Sequence, residues 1–409
     1  MFGNMLWNTI GSVFYQGCLW LLTVLVVRLS DSYLNSGMLA FAMSIGNIYT
    51  ALSTYMIRTY QVADIEHRYF TSNYVAARAI TVCGAYLLCG VYAMIASPSF
   101  ETFLVVVAFL LFKADESFVN VLYGRDQVSE RLDWVGLSQI IRGVAVVGIF
   151  SIIVVRAGLA AALVGMFVGC ALVTVFFDFP HTRRLGDSLA PKISIQKLTS
   201  LLRTCFPSML GSVVGGLVVT SARQYFGIVY GEEALGIYAS VATPCVIIQV
   251  LAQNLYAPLL LPIARCRSQG DRTGVKRRTA TLIGLVLLVA LTLSIMLSIG
   301  ARPLLVTFYG PSISPYTDLL PPALFVMTGI ALAAVISDLL ILSNKMRLSL
   351  FINSIAFIID ALLIAPCTAV WFMNGINIAL AAAYTIACAI GLFLVSHSIC
   401  DVSPQSPRK

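Results

Sequence analysis

The sequence predicts an all-α membrane protein of about twelve transmembrane helices, arranged as two six-helix pseudo-repeat bundles around a central cavity with both termini in the cytoplasm. Three observations predict it. Hydrophobic residues make up 59% of the 409 and charged residues 11%, and the mean hydropathy is +0.91, which leaves too little polar surface for a water-soluble domain. Apolar stretches of roughly 20 residues, enough to cross the ~30 Å hydrocarbon core, recur along the whole chain. Twenty of the 26 lysines and arginines fall in alternate connections, the bias that marks the cytoplasmic side.

The stretches lie at 5–27, 36–57, 78–97, 102–122, 134–155, 158–178, 205–228, 234–262, 279–299, 322–343, 348–371 and 375–397. The first has no basic segment before it and no small-residue cleavage site, so it reads as a retained helix rather than a signal peptide. With the N-terminus inside, Arg58, Arg68, Arg78 and Arg125 are among the basic residues of the inner connections. Outer connections hold Arg28, Arg156 and Arg302, while Lys113, Arg142 and Arg223 fall within spans. The net charge of +8 is spread over short inner loops, where anionic membrane lipids are the natural partner and nucleic acid is not. Most of the ten cysteines lie inside apolar segments without C-x-x-C spacing, as small hydrophobes rather than disulfide partners or metal ligands.

The longest inner connection, 179–204, contains Ile193 to Leu202, which reads as an interfacial helix. It separates an N-terminal lobe, 1–178, from a C-terminal lobe, 205–397, followed by a disordered cytoplasmic tail, 398–409. The second span of each half opens alike, with Leu39-Ala40-Phe41-Ala42 in one and Leu235-Gly236-Ile237-Tyr238-Ala239 in the other, and Arg28 and Arg223 close the preceding helices. Halves with an even number of spans repeat in parallel about the membrane normal, an arrangement suited to alternating access.

Ionisable side chains at mid-membrane cost at least ~2.5 kcal/mol on insertion scales, so each needs a partner, a wet cavity or a function. The fourth span carries Lys113, Asp115, Glu116 and Asn120. Lys113, Glu116 and Asn120, spaced i, i+3, i+7, share one helical face, and Asp115 points elsewhere. Arg142 of the fifth span lies at a depth similar to Lys113, so a pair with Glu116 is geometrically open. Two roles are equally consistent: a structural ion pair, or cations lining a cavity, where the arginine fork grips phosphate bidentately. Arg58, Arg28 and Arg223, taken singly, read more simply as cations snorkelling to the interface. Asp360, near the middle of the eleventh span, and Asp338, near the inner end of the tenth, are candidates for charge balance or ion coupling. Pro244 predicts a bent eighth span with Gln249, Gln253 and Asn254 facing inward. Gly165/Gly169, Gly211/Gly215 and Gly227/Gly231 fit close helix packing.

No G-x-x-x-x-G-K-[ST] and no H-E-x-x-H occurs, so neither ATP hydrolysis of that kind nor a membrane zinc protease is indicated, and no catalytic residue, metal or cofactor is expected. Asp64-Ile65-Glu66 has the look of a glycosyltransferase acidic pair, but without a nucleotide-binding domain around it a solvated loop is the simpler reading.

Several stretches resemble the capsule and O-antigen lipid-linked oligosaccharide flippases of the multidrug/oligosaccharidyl-lipid/polysaccharide exporter superfamily. They are Asn8-Thr9-Ile10-Gly11-Ser12, Arg58-Thr59-Tyr60-Gln61-Val62-Ala63-Asp64, Gly236 to Pro244, and Lys113 to Asp133. The resemblance implies two six-helix lobes in the bacterial cytoplasmic membrane. The implied cargo is a polyprenyl-diphosphate-linked oligosaccharide, and the polymerase and glycosyltransferases of the same pathway are implied partners. It also implies that Arg58, Lys113 and Arg142 attract the diphosphate while Glu116 and Asp115 balance or release them. Ser221-Ala222-Arg223-Gln224-Tyr225 departs from the family's Pro-Arg-Tyr run, which puts the placement of Arg223 in doubt. An ion-coupled drug or metabolite antiporter of the same superfamily is the main rival; a membrane polysaccharide polymerase is disfavoured, because the longest outer connection, 300–321, carries only Arg302 and Asp318 as charges.

Overall fold

The computed structural model describes residues 2–30, 33–64, 68–343 and 345–400. Every expected apolar stretch is helical over most of its length, and no strand occurs among the described residues. The N-terminal helices are α1 (Phe2–Arg28), α2 (Leu34–Thr54), α4 (Thr71–Ala96), α5 (Phe100–Val128) and α6 (Leu132–Val173), with a short α3 (Ile57–Ala63) after α2. A π-helical turn, Thr174–Asp178, leads from α6 into α7 (Phe179–Arg183). The later helices are α8 (Ile195–Tyr230), α9 (Glu232–Ala242), α10 (Val246–Ser268), α11 (Arg272–Ile299), α12 (Ala301–Tyr309), α13 (Leu320–Leu342), α14 (Met346–Trp371) and α15 (Met373–Cys400). Among the described residues nine segments are long and apolar enough to cross a membrane. The protein is a multi-pass membrane protein.

The fifth and sixth expected spans share α6. Gly158 sits inside it at φ 81° and ψ 178°, a backbone state open essentially to glycine alone. There the chain folds back, because Gly165 and Gly169 face the side chains of Ile153 and Ile149, residues that a straight helix would hold roughly 18 and 30 Å away at ~1.5 Å per residue. The packing expected of Gly165 and Gly169 is therefore present. Gly211 faces open space, and Gly231, at φ 93°, ends α8 rather than packing a helix.

Contacts divide the chain into two compact units, one formed by Met1–Gly216 with Gly227–Gly236, the other by Leu217–Phe226 with Ile237–Lys409. Within the first, α1 lies along α6 so closely that a Cβ on Gly11 or Gly136 would strike the facing backbone. In the same unit Gly37 and Gly236 make a second close approach, Gly37 against Glu232 O and Gly236 against Tyr33 O. These glycines stand beside the two stretches, from Leu39 and from Leu235, that suggested a duplication.

Two expectations are corrected. No separate interfacial helix forms over Ile193–Leu202, because α8 begins at Ile195 and continues to Tyr230; Leu189, Leu201 and Cys205 instead join the buried cluster around Tyr74, Val75 and Leu122. Arg78 does not lie in an inner loop. It is fully buried in α4, and its Nη1 donates to Ser53 O at 2.8 Å, meeting one of the carbonyls that α2 leaves unpaired at its C-terminus. Thr81 Oγ1 donates to the same oxygen at 2.7 Å. Just beyond, Tyr55 and Met56 adopt left-handed backbone, at φ 49° and 55°, and turn the chain into α3, which packs on α5.

Pro244 lies in the 3-10 turn Thr243–Cys245 that joins α9 to α10, the bend the proline predicts. Gln249 is half-buried and Gln253 exposed; the side chain of Asn254 lies outside the described residues. So do Ile65, Glu66 and the tail beyond Cys400.

Candidate functional site

Arg142 organises the buried polar centre of the first unit. It is 1% exposed, and each guanidinium nitrogen is engaged: Nη1 donates to Asp115 Oδ2 at 2.5 Å, Nη2 to Asp178 Oδ2 at 3.0 Å and to Thr174 Oγ1 at 2.5 Å, and Nε to Ser138 Oγ at 3.3 Å. Thr174 Oγ1 in turn donates to Asp115 Oδ1 at 2.6 Å. Ser138 Oγ lies 2.7 Å from the Tyr123 hydroxyl. A planar fork buried this deeply needs an acceptor at every corner, and this one has them.

The expected pair of Arg142 with Glu116 does not form. Asp115, one residue earlier and so ~100° around the helix, takes that place. Glu116 instead faces α1, where it accepts from Tyr15 Oη at 2.5 Å and from Lys113 Nζ at 2.5 Å. Lys113 and Glu116 keep 20% of their side chains exposed, and the ammonium lies 5.6 Å from the Phe109 ring centre and 5.5 Å from that of Phe112. Asn120, expected on the Lys113 face, accepts from Arg78 Nη2 at 3.4 Å.

Arg58, on α3, is half-buried; its Nη2 donates to Gln127 Oε1 at 2.9 Å and its guanidinium stands 5.9 Å from the Tyr123 ring centre. Asp64 closes the same motif as a loop brace, accepting from Arg68 N and Tyr69 N at 3.1 Å and from Tyr74 Oη at 2.8 Å. Arg28 is exposed at the end of α1.

In the second unit Asp360 is fully buried on α14; Ser221 Oγ donates to its Oδ2 at 3.4 Å, and Oδ1 has no hydrogen-bond partner. Asp338 on α13 accepts from Tyr256 Oη at 2.9 Å. Arg223 on α8 is half-buried, with no partner at Nε.

The structure therefore gathers Asp115 and Arg142, sets Lys113 and Glu116 beside Tyr15, and leaves Arg28, Arg58, Asp338 and Asp360 in separate surroundings. Sequence reasoning missed Asp178, Thr174, Tyr15 and Arg78. A signal existed for the first two, since Thr174 and Asp178 are spaced i, i+4 at the end of the sixth expected stretch.

Residues 131–317 match the family model described as a polysaccharide biosynthesis protein. The resemblance read from the sequence is borne out. A search of curated proteins found no match. Among solved structures the chain is similar to an inward-facing multidrug resistance MATE family transporter of the MOP superfamily, with TM-score 0.76 and 12% identity over 98% of this chain and 99% of that one. It is similar also to the lipid II flippase MurJ in an inward closed conformation, with TM-score 0.72 and 14% identity over 97% and 89%. A third is a MOP superfamily transporter from Pyrococcus furiosus, described as having a binding pocket of reverse polarity, with TM-score 0.63 and 13% identity over 97% and 94%. At these identities the likeness establishes the shared fold, which is that of membrane exporters and flippases.

Proposed function

We propose that this protein is a flippase that carries polyprenyl-diphosphate-linked oligosaccharide units across the bacterial cytoplasmic membrane by alternating access, for capsule, O-antigen or exopolysaccharide assembly. The observation that carries this reading is the polysaccharide biosynthesis match over 131–317 in a chain with the fold of exporters and of a lipid II flippase. On this reading both termini are cytoplasmic, and the polymerase and glycosyltransferases of the pathway work beside it.

Diphosphate and sugars cannot enter hydrocarbon unaided, so the protein must offer cations and polar surface while the prenyl chain stays in lipid. Lys113 and Arg58 suit direct attraction of the diphosphate. Each is only partly buried, and aromatic rings beside them give sugar faces an apolar surface to lie on. Arg142, with every nitrogen engaged, suits a positioning role, holding the helix that presents Lys113. Arg223 and Arg28 are further cations on the route, and Asp338 and Asp360 are candidates for charge balance or coupling in the second unit.

The test is a strain lacking the gene, its lipid-linked sugars analysed by mass spectrometry and their leaflet probed with an enzyme that cannot enter intact spheroplasts. Flipping predicts a protected, inner-leaflet polyprenyl diphosphate oligosaccharide that the wild-type gene clears. Single repeat units building up on the outer face would favour a polymerase, and an unchanged lipid profile would favour drug or metabolite export.

A further inference from the structure

In the second unit a cavity of about 210 Å³ lies between the 3-10 segment Pro311–Leu319 and the turn from α14 into α15. Aromatic faces and hydrogen-bonding groups meet in its walls, which include Tyr316, Asp318, Trp371, Phe372 and Asn374. Trp371 and Phe372 are 52% and 46% exposed. Asp318 is the single acidic residue of 300–321. Among the described residues no side-chain hydrogen bond or ion pair engages the Tyr316 hydroxyl, the Asp318 carboxylate or the Asn374 amide nitrogen. On the orientation proposed above, this end of the unit faces outward.

The walls are held from behind. Asn377 is fully buried; its Nδ2 donates to Leu319 O at 3.4 Å and to Asn374 Oδ1 at 3.2 Å, tying one wall to the other, and its Oδ1 accepts from Tyr238 Oη at 2.9 Å. The Phe372 ring rests on that of Phe226, with 5.5 Å between centres. Phe372 itself takes φ 50° and ψ −124°, a backbone state that glycine adopts freely and other residues only at a cost. Its N–H donates to Thr368 O at 2.9 Å, and its carbonyl accepts from Gly375 N at 3.0 Å. The turn alone therefore gives no reason for a phenylalanine there. A belt of interfacial aromatics accounts for exposed rings at a membrane surface, but not for a carboxylate, an amide and a phenol left unengaged around one concavity.

We infer that this cavity is a binding site for one sugar ring of the pyranose class. A pyranose has a face of C–H groups and a rim of hydroxyls. The C–H face suits the electron-rich face of an aromatic ring. Hydroxyls both donate and accept, and they need partners of both kinds: the Asp318 carboxylate accepts, the Asn374 amide nitrogen donates, and the Tyr316 phenol does either. The volume is below the ~300–1,000 Å³ of pockets that take drug-sized ligands, which suits one ring rather than a chain of them. A quaternary ammonium would use the rings and the carboxylate and leave the amide and the phenol idle. That the ring belongs to the exported glycan, held as it emerges on the outer face, rests on the flippase reading above; the sugar site itself does not.

The experiment is saturation-transfer NMR on the full-length protein in lipid nanodiscs, with the methyl glycosides of glucose, galactose, mannose and N-acetylglucosamine at millimolar concentration as probes. Transfer to the ring C–H protons of at least one glycoside is expected. Trp371→Ala and Asp318→Ala should each weaken its binding about tenfold, whereas Phe393→Ala, at an exposed aromatic elsewhere in the unit, should leave it unchanged. Thermal unfolding shows that each variant folds, and if one does not, the other decides the matter. No transfer to any of the glycosides with wild-type protein overturns the inference, as does transfer that neither variant weakens. Stronger transfer to tetramethylammonium, reduced by the same variants, overturns it in favour of a cation site. Glycoside binding in a protein whose lipid flipping is unchanged by Trp371→Ala overturns the role in transport and leaves the sugar site standing; glycoside binding in a protein that flips no lipid overturns the flippase reading alone.

Discussion

Arg142 and Asp115 meet at 2.5 Å with 2% and 6% of their side chains exposed, joining α6 to α5 in the middle of the first unit. Because Asp178 and Thr174 lean on the same guanidinium, removing it strands two carboxylates in the interior. Arg142→Ala is expected to cost about 3–5 kcal/mol, read as a fall in the melting temperature of the purified protein. Arg142→Lys should recover only part of this, since a single ammonium cannot bridge both acids as the planar fork does.

Lys113 predicts the opposite balance. Its partner Glu116 is also held by Tyr15, and the pair keeps access to solvent, so Lys113→Gln should lower stability by only about 1 kcal/mol or less. If the ammonium meets the diphosphate, losing that charge-assisted bond removes roughly 1.5–3 kcal/mol of binding, about tenfold or more in transport. Flipping measured beside melting temperature separates the two effects.

Gly158 is irreplaceable for a backbone reason. Nothing lies within 4 Å of a Cβ built there, yet φ 81° and ψ 178° are closed to other residues at about 1–3 kcal/mol. Gly158→Ala should destabilise the hairpin between the two arms of α6 by about that amount, measured by thermal unfolding, whereas Gly148→Ala, also in open space but in regular helix, should be neutral or slightly stabilising.

The segment after α7 is held down by buried Leu189 and by a few polar contacts. Asp187 binds Arg125 at 2.7 Å and also accepts from Thr71, and Asn73 Nδ2 donates to Lys192 O at 2.5 Å. Asp187→Ala combined with Asn73→Ala should raise the rate of proteolytic cleavage over 184–193 several-fold while leaving the helices intact, checked by mass spectrometry of the fragments.

The helices were legible because the length of an apolar run is set by the bilayer rather than by tertiary contacts, and even the break in α6 showed as the gap between 155 and 158. Rotation about each helix was not legible. Whether Asp115 or Glu116 meets Arg142 depends on a turn of ~100°, which hydropathy fixes poorly in a helix apolar on nearly every side. Arg78 was misplaced for a related reason. A charge at the edge of an apolar window reads as loop, and only the carbonyl of Ser53 at the end of another helix explains why it is tolerated two turns inside α4. Asp178, the last residue of the sixth expected stretch, carries no signal of its own in the sequence; the π turn brings it to Arg142.

The most direct measurement is lipid translocation by the purified protein in liposomes that carry a polyprenyl-diphosphate oligosaccharide in both leaflets, with the inner pool followed by its exposure to an impermeant sugar-modifying enzyme. Flippase activity predicts that the protected half becomes accessible in protein-containing vesicles, and more slowly with Lys113→Gln than with wild type. Equal protection with and without wild-type protein, in vesicles where the same protein dissipates a gradient of a cationic drug, would contradict it.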